Sequence, residues 1–573
     1  MSPDRLLRRM TGTIPVWVAM LALASTASAC ATTLLPAAIG KAIDVLLRTM
    51  SGHASVLSLW DWVGCCTLLT VLSAAGEAFT QFGTGTVTGN CSGWLRHELF
   101  RHILACGPRL TGRFAPGDAV SRLIGGTAEA GGAPVGTVLT LTSTIPSIGS
   151  VVALALIDPW LAVAFLAGMP LVVRVLRSFM RNTSDAYLRY QQTQGTIIAH
   201  LVATMTGART IAAAGTRERE IGRVLEPLPR LRAQGERTWQ IQGRVQAQSS
   251  LIIPLLQVLV VAVGGFELSR GQVSPGGLLA AAQYAALGAG IGAAVGQISR
   301  LARGRSGATR AAELLTVPEP RQGTETLPPG RGRVEFRGVS VRIGDSTAIE
   351  ELDLVIPAGF DVAVVGEAGA GKSTLAALAG RLADPDRGEV LLDGVPLKHL
   401  ALSELREAVT YAFERPALLG RTVRDMIGFG LPSRPSYADI TSAAEAARAL
   451  QFLRRLPERD LTILSKVPLS GGEHQRLGLA RAMARADRSR LLVLDDATSS
   501  LDTVTAMQVN QALTELHGDR TKIIVTHRAA TAADADLVAW LEAGRLRRLG
   551  PHAELWRDPG YRAVFGADKA DAA

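Results

Sequence analysis

The chain has 573 residues, of which 47% are hydrophobic and 19% charged, and its mean hydropathy is +0.22. That balance excludes a disordered chain and sits poorly with a wholly soluble enzyme. Lysine and arginine number 60 against 50 acids, a net charge of +10, but the excess is arginine spread over loops between apolar runs, which suits cytoplasmic membrane loops and gives no support to nucleic-acid binding.

At the N-terminus Arg5, Arg8 and Arg9 precede an apolar run ending in Ala27-Ser28-Ala29-Cys30, an imitation of a secretory signal. The run continues through Thr32, Leu34 and Pro36 to Ile39, long enough to span roughly 30 Å of hydrocarbon, so it reads as a first transmembrane helix near 14–39. Further spans are expected near 62–84, 135–157, 160–180, 248–268 and 276–299, making six. The five cysteines, Cys30, Cys65, Cys66, Cys91 and Cys106, lack metal-site or disulfide spacing and read as buried small hydrophobes.

An even number of spans puts both ends of this half on one side. Residues 181–247 hold ten Arg against five acids, and the segment 86–132 adds Arg96, Arg101, Arg109, Arg113 and Arg122. The short or weakly charged connections near Asp44 to Asp61, at Asp158-Pro159 and at Ser269 to Ser274 therefore face outward, and the two long arginine-rich ones face the cytoplasm. Much of each long segment reads as helix, including Trp94 to Leu104 and Thr196 to Arg209, so the spans extend well beyond the membrane. Glu77, Gln257 and Gln283 are candidate cavity residues, because polar groups within spans favour a bundle interior or a wet cavity. Gly288, Gly290, Gly292 and Gly296 suit close helix packing.

Composition changes near residue 316, where a proline-rich linker (316–331) separates the membrane half (1–315) from a second domain (332–567) and a short tail (568–573). The second domain opens with β-rich runs, Arg333 to Val341, Leu352 to Ile356 and Val362 to Val365. The last runs into Gly366-Glu367-Ala368-Gly369-Ala370-Gly371-Lys372-Ser373-Thr374, followed by a helix-prone stretch to Leu382. This fits a phosphate-binding loop: glycines let backbone N–H groups wrap a β-phosphate, Lys372 reaches the β/γ-phosphates, and the Ser373 hydroxyl can hold Mg²⁺. Downstream, the apolar run Leu491 to Leu494 ends in Asp495, placed for a second Mg²⁺ ligand.

Between the two lies Leu469-Ser470-Gly471-Gly472-Glu473-His474-Gln475-Arg476, and Asp495-Asp496, Ser499-Ser500-Leu501-Asp502 and Thr526-His527-Arg528 follow. In order and spacing these resemble the signature motif, Walker B, D-loop and switch histidine of ATP-binding cassette (ABC) transporters. Six spans and one C-terminal cassette resemble an exporter-type half-transporter over essentially the whole chain. The resemblance implies an all-α six-helix transmembrane domain with long cytoplasmic helix extensions, followed by an α/β P-loop NTPase domain. It also implies ATP and Mg²⁺ as ligands, a second half-transporter as partner, and ATP sandwiched between one chain's Gly366 to Thr374 loop and the other's signature. The setting implied is a bacterial inner membrane, with the N-terminus and the cassette cytoplasmic. Coupling helices at the tips of the long loops are expected near Phe114 to Arg122 and Met205 to Arg217.

Several positions depart from the family pattern. Asp496 stands where the family's catalytic glutamate polarises water, one methylene too short, and a misplacement of about 1 Å can cost on the order of 10²-fold in rate. Glu414 replaces the Q-loop glutamine; it can still ligate Mg²⁺ but lacks the amide donor. Ile343 lies at or near the place of the adenine-stacking tyrosine, and Glu473 replaces the signature's usual glutamine. Together they point to the degenerate half of a heterodimeric exporter: a weakened ATP site of its own with Asp496, His527 and Glu414 as catalytic groups, and a usable signature, Leu469 to Glu473, for the partner's ATP. The alternatives are a slow homodimer, an exporter-fold importer, for example of a siderophore, and a regulatory ATP-binding subunit. The substrate is not identifiable from these residues beyond an amphipathic compound, a lipid or a peptide.

Overall fold

A computed structural model describes residues 2–51, 56–289, 292–320, 322–344 and 346–566. The chain divides into two compact units, Met1–His102 with Pro116–Thr316, and Ile103–Ala115 with Val317–Ala573. The composition change near 316 thus coincides with a structural division, but the segment 103–115, expected in the membrane half, clusters with the cassette. The tail 568–573 lies outside the described residues.

Within the first unit the described residues are helical, in long pieces: Pro15–Met50, Val56–Cys106, Ala133–Ile157, Pro159–Thr206, Leu228–Ser269, Pro275–Ala289 and Gly292–Leu314. Apolar runs in hydrocarbon have no water to satisfy their backbone, so continuous helix is the form that closes every hydrogen bond. Cys30 lies inside the unbroken Pro15–Met50 helix. Among the described residues four stretches, Pro15–Met50, Val56–Cys106, Pro116–Ile157 and Ser250–Ser269, are long and apolar enough to cross a membrane. Of the other two expected spans, 160–180 falls on the Pro159–Thr206 helix, of which Pro159–Leu171 is a shorter apolar stretch, and 276–299 includes residues 290 and 291, outside the described set.

Small residues set the closest approaches. A Cβ on Gly40 would fall 2.5 Å from the Gly276 carbonyl oxygen, and one on Gly288 would fall 2.7 Å from the Phe165 ring. Buried Tyr284 donates its hydroxyl to the Thr33 carbonyl (2.9 Å), and Leu154, Leu161, Phe165, Leu256 and Val260 complete this core. Only Cys91 and Cys106 are buried; Cys30 is exposed and Cys65 and Cys66 are intermediate, because the outward faces of these helices are apolar too. A short N-terminal helix, Pro3–Thr11, buries Leu6 and Met10 and leaves Arg5, Arg8 and Arg9 exposed.

The two long segments end in breaks at glycines. Gly107 (φ 54°) precedes the single turn Pro108–Thr111, and at Gly207 the chain bends by 71° into Ala208–Ala214, which ends at Gly215 in the left-handed region (φ 64°). The Ala208–Ala214 helix buries no residue and falls within the expected Met205 to Arg217. The first tip lies earlier than expected. Arg122 is instead held within the helical unit, donating to Asp118 (2.9 Å), Glu313 and the Arg310 carbonyl (3.0 Å).

The cassette carries two sheets. One is a six-stranded sheet built from β3 (Asp361–Gly366), β6 (Val409–Phe413), β7 (Leu491–Asp495), β8 (Thr521–Val525), β9 (Leu537–Glu542) and β10 (Arg545–Gly550), in the order β10-β9-β3-β8-β7-β6. Its β9, β3, β8, β7 and β6 run parallel, and each is nearly continuous apolar sequence, as strands covered on both faces must be. The other is a four-stranded antiparallel sheet of β1 (Val334–Ile343), β2 (Ser346–Ile356), β4 (Arg387–Leu392) and β5 (Val395–Pro396). One core joins both sheets through Phe336, Val364, Leu375 and Leu541. A second core packs the Gly471–Ala486 helix against Met426, Ile440 and Leu494.

Candidate functional site

The site forms at the carboxyl ends of β3 and β7, where an open parallel sheet leaves a crevice. From β3 the chain turns through the glycine loop and enters the Lys372–Ala379 helix. Gly369 (φ 84°) and Gly371 (φ 95°) sit in the left-handed region, and a Cβ on Gly371 would fall 2.5 Å from the Ala348 carbonyl oxygen, so only glycine fits there. Lys372 folds back over the loop and donates to the carbonyls of Gly366 and Glu367, both at 2.8 Å. An ammonium has three protons, so one stays available for a phosphate oxygen. Burial pushes the Lys372 pKa down, opposed by the nearby Asp496 and Asp495 carboxylates.

Asp495 ends β7 and accepts from the Ser373 hydroxyl (3.1 Å). Burial pushes the Asp495 pKa up, and the Asp496 and Glu414 charges add to that while the Ser373 hydrogen bond opposes it. A cation between Ser373 and Asp495 would relieve the clustered negative charge. Among the described residues no group of three or more His, Cys, Asp or Glu side chains could hold a metal alone. That donor set fits Mg²⁺ completed by phosphate oxygens and water, the usual arrangement at phosphate-binding loops.

Asp496 takes the left-handed conformation (φ 48°), and its Oδ1 lies 2.9 Å from His527 Nδ1. Glu414 is half-exposed beside Arg415 (4.0 Å), and Ile343 is exposed at the β1–β2 turn with no stacking role visible in its contacts. The loop positions Glu367, Ala368 and Gly369 are exposed, Ala370 is buried, and Thr374 is half-buried in the helix.

On the signature side, Ser470 caps the Gly471–Ala486 helix. Its hydroxyl accepts from the Glu473 N–H (3.3 Å) and donates to Glu473 Oε2 (2.9 Å), which also accepts from the Ser470 N–H (2.9 Å). Glu473 thus completes a capping box, and the Ser470 N–H holds its carboxyl below its usual range. Leu469 is half-buried against the helical core, and Gly471 and Gly472 form the first turn.

Sequence reasoning assigned no role to Gln475. Its side chain is buried, donates to the Glu414 carbonyl (2.9 Å) and Ser499 Oγ (2.8 Å), and accepts from the Ser500 N–H (2.9 Å). Arg528, next to His527, donates to the carbonyls of Ser499 (3.1 Å) and Leu501 (2.7 Å). The segment Ser499 to Leu501 is thus fastened to the signature helix on one side and to the segment that follows β8, through Arg528, on the other.

In the helical unit, Gln257 donates to the Ala282 carbonyl (3.2 Å), and Glu77 is exposed and accepts from Gln81 (2.8 Å). The structure therefore gives Gln257 an interhelix role.

Comparison with known proteins agrees with this geometry. The family model for the ABC transporter transmembrane region matches residues 18–289, and the ABC transporter model matches residues 349–499. The ABC transporter ATP-binding protein RamA of Streptomyces coelicolor is 44% identical over 553 residues, 96% of this chain and 85% of that protein. An ATP-dependent lipid A-core flippase of Chromohalobacter salexigens is 31% identical over 512 residues, 85% of this chain and 86% of the relative. A solved bacterial Atm1-family ABC exporter with ATP bound shares the fold with a TM-score of 0.78 at 24% identity, covering 99% of each chain.

Proposed function

The chain belongs to the ABC transporter family as an exporter-type half-transporter, and from that premise we propose that it is the weakly hydrolysing half of an asymmetric pair in a bacterial cytoplasmic membrane. ATP is held at the Gly366 to Thr374 loop, with Lys372 on the β/γ-phosphates and Ile343 beside the adenine. Ser373 and Asp495, with Glu414 as a further ligand, would hold Mg²⁺, which would neutralise phosphate charge. Asp496 orients the attacking water and takes its proton, and His527 fixes the Asp496 carboxylate. The partner carries glutamate at the corresponding position, and its ATP is cut against this chain's Leu469 to Glu473. Ordering of the cassettes around two ATP molecules moves the helices and alternates access to a cavity for an amphipathic cargo, a reading to which the flippase relatives lend support.

The observation that carries this reading is Asp496, a carboxylate one methylene short of the family's glutamate and tethered at 2.9 Å to His527. ATPase measurement on the assembled complex tests it: Asp496→Asn leaves turnover nearly intact if the partner's site does the cutting, and abolishes it if this site does. The second reading is a homodimer in which Asp496 works slowly at two equal sites, favoured by the same tether, which keeps the short carboxylate aimed. Mass spectrometry of what co-purifies from the native membrane in equal amount separates the two.

A further inference from the structure

The helical unit holds a cavity of about 600 Å³ between the Pro15–Met50, Ala133–Ile157 and Pro275–Ala289 helices. It lies at the end of the unit that carries the turns before Pro159 and Pro275, since Ile157 and Gln272 to Ser274 line it. Lys41, Asp44 and Arg48 also line it, at the three- and four-residue steps that share one helix face. Asp44 is already committed: it accepts from Ser274 Oγ (2.6 Å) and from the Gly276 N–H (2.8 Å), at the start of the Pro275–Ala289 helix. Lys41 and Arg48 are exposed and carry no ion pair among the described residues. Beside the polar Thr33, Gln272 and Ser274, the wall carries an apolar strip in which Leu34, Val152 and Leu156 are exposed to 56%, 51% and 82%.

Two uncommitted cations above an apolar wall match an amphiphile with an anionic head. An inorganic anion would leave the wall wet, and a zwitterionic phospholipid would bring a headgroup cation that offsets its phosphate and leaves net positive charge at the edge of hydrocarbon, where charge is costly. We propose that this cavity binds an anionic phospholipid, its headgroup phosphate held by Lys41 and Arg48 and an acyl chain laid along Leu34, Val152 and Leu156. The site is separate from the ATP chemistry, so it stands or falls independently of the asymmetric-pair reading.

Native mass spectrometry of the assembled transporter in mild detergent tests the proposal, with dioleoylphosphatidylglycerol and dioleoylphosphatidylcholine as probes. The wild-type complex is expected to retain the anionic lipid preferentially. Lys41→Gln with Arg48→Gln is expected to weaken that retention roughly tenfold while leaving the neutral lipid unchanged, and Lys41→Arg to preserve it. Millimolar inorganic phosphate is expected not to displace the lipid. Equal retention by the double variant would overturn the proposal in favour of cations that simply reach the bulk headgroups, and displacement by phosphate would overturn it in favour of a free-anion site. If the double variant fails to assemble, Leu156→Glu keeps both cations and charges the wall; undiminished retention there refutes the acyl-chain contact.

Discussion

Asp496 Oδ1 and His527 Nδ1 lie 2.9 Å apart, and the aspartate that makes this contact sits at φ 48°, a backbone conformation that aspartate tolerates better than most residues. The two residues lie just past the ends of neighbouring strands, since β7 and β8 pair from Leu491↔Thr521 to Asp495↔Val525 and the Asp496 N–H bonds the Val525 carbonyl (3.2 Å). The strand register therefore delivers the carboxylate to the histidine. What the register cannot supply is the missing methylene.

Lengthening that side chain is the sharpest test of how far the short carboxylate limits turnover. Asp496→Glu is expected to raise ATP hydrolysis at this site by about 10- to 10²-fold, the range that a misplacement of ~1 Å costs. The measurement is single-turnover hydrolysis in a complex whose other site is disabled. No gain would mean that something else, such as Glu414 or the missing adenine stack, sets the rate.

At the signature, the capping box places a carboxylate where the family has an amide. Glu473 is expected to oppose a γ-phosphate arriving at Ser470, because its charge sits on the same hydroxyl the phosphate needs. Glu473→Gln should therefore lower the KM for ATP of the complex severalfold with kcat less affected. The sign with pH is opposite for stability: a carboxyl held below its usual range stabilises the fold above that range and loses this contribution as pH falls through its folded pKa. Glu473→Gln thus flattens the acid limb of a thermal-shift profile, and an unchanged limb would contradict the capping role.

Removing the Gln475 amide while keeping its bulk isolates the fastening of the D-loop. Gln475→Leu leaves the Glu414 carbonyl, Ser499 Oγ and the Ser500 N–H without this partner. Three neutral hydrogen bonds at about 1 kcal/mol each give roughly 3 kcal/mol. In a domain of this size that is a fall of roughly 6–12 °C in melting temperature. A structural role alone would stop there; the expected additional loss of ATP-induced stabilisation reports the broken link between the signature and the Q-loop, and intact stabilisation by ATP would refute it.

How much of this was legible in the sequence follows from what each feature depends on. The phosphate loop and the first Walker B carboxylate are each contiguous with an apolar run, so the sequence reading of a strand before Gly366, a helix after it and a strand ending at Asp495 matches the elements of the structure. The hub at Gln475 joins residues 24 to 61 positions apart, a relation no local pattern carries. The long helices were readable from their apolar length, but the first tip was not: Phe114 to Arg122 has the polar, proline-containing look of a turn, while the actual break is set by Gly107 and Pro108. Arg122, the end of the expected tip, is instead paired with Glu313 and Asp118.

The relocated tip makes a prediction at Arg109. It pairs with Asp384 and is partly buried, and burial pushes the Arg109 pKa down. Asp384 also accepts from Arg381 (2.9 Å), so it sits between two cations. Arg109→Glu leaves two carboxylates facing each other and is expected to cut transport severalfold more than ATP hydrolysis. Asp384→Arg alone gathers three cations and should do the same. Combining the two restores an opposite-charge pair and should recover part of the coupling, an interaction energy of about 1–3 kcal/mol in the double-mutant cycle. Substituting Arg122 should instead destabilise the helical unit without separating transport from hydrolysis. Transport per ATP that stays normal in both Arg109→Glu and Asp384→Arg would move the coupling contact away from Pro108–Thr111.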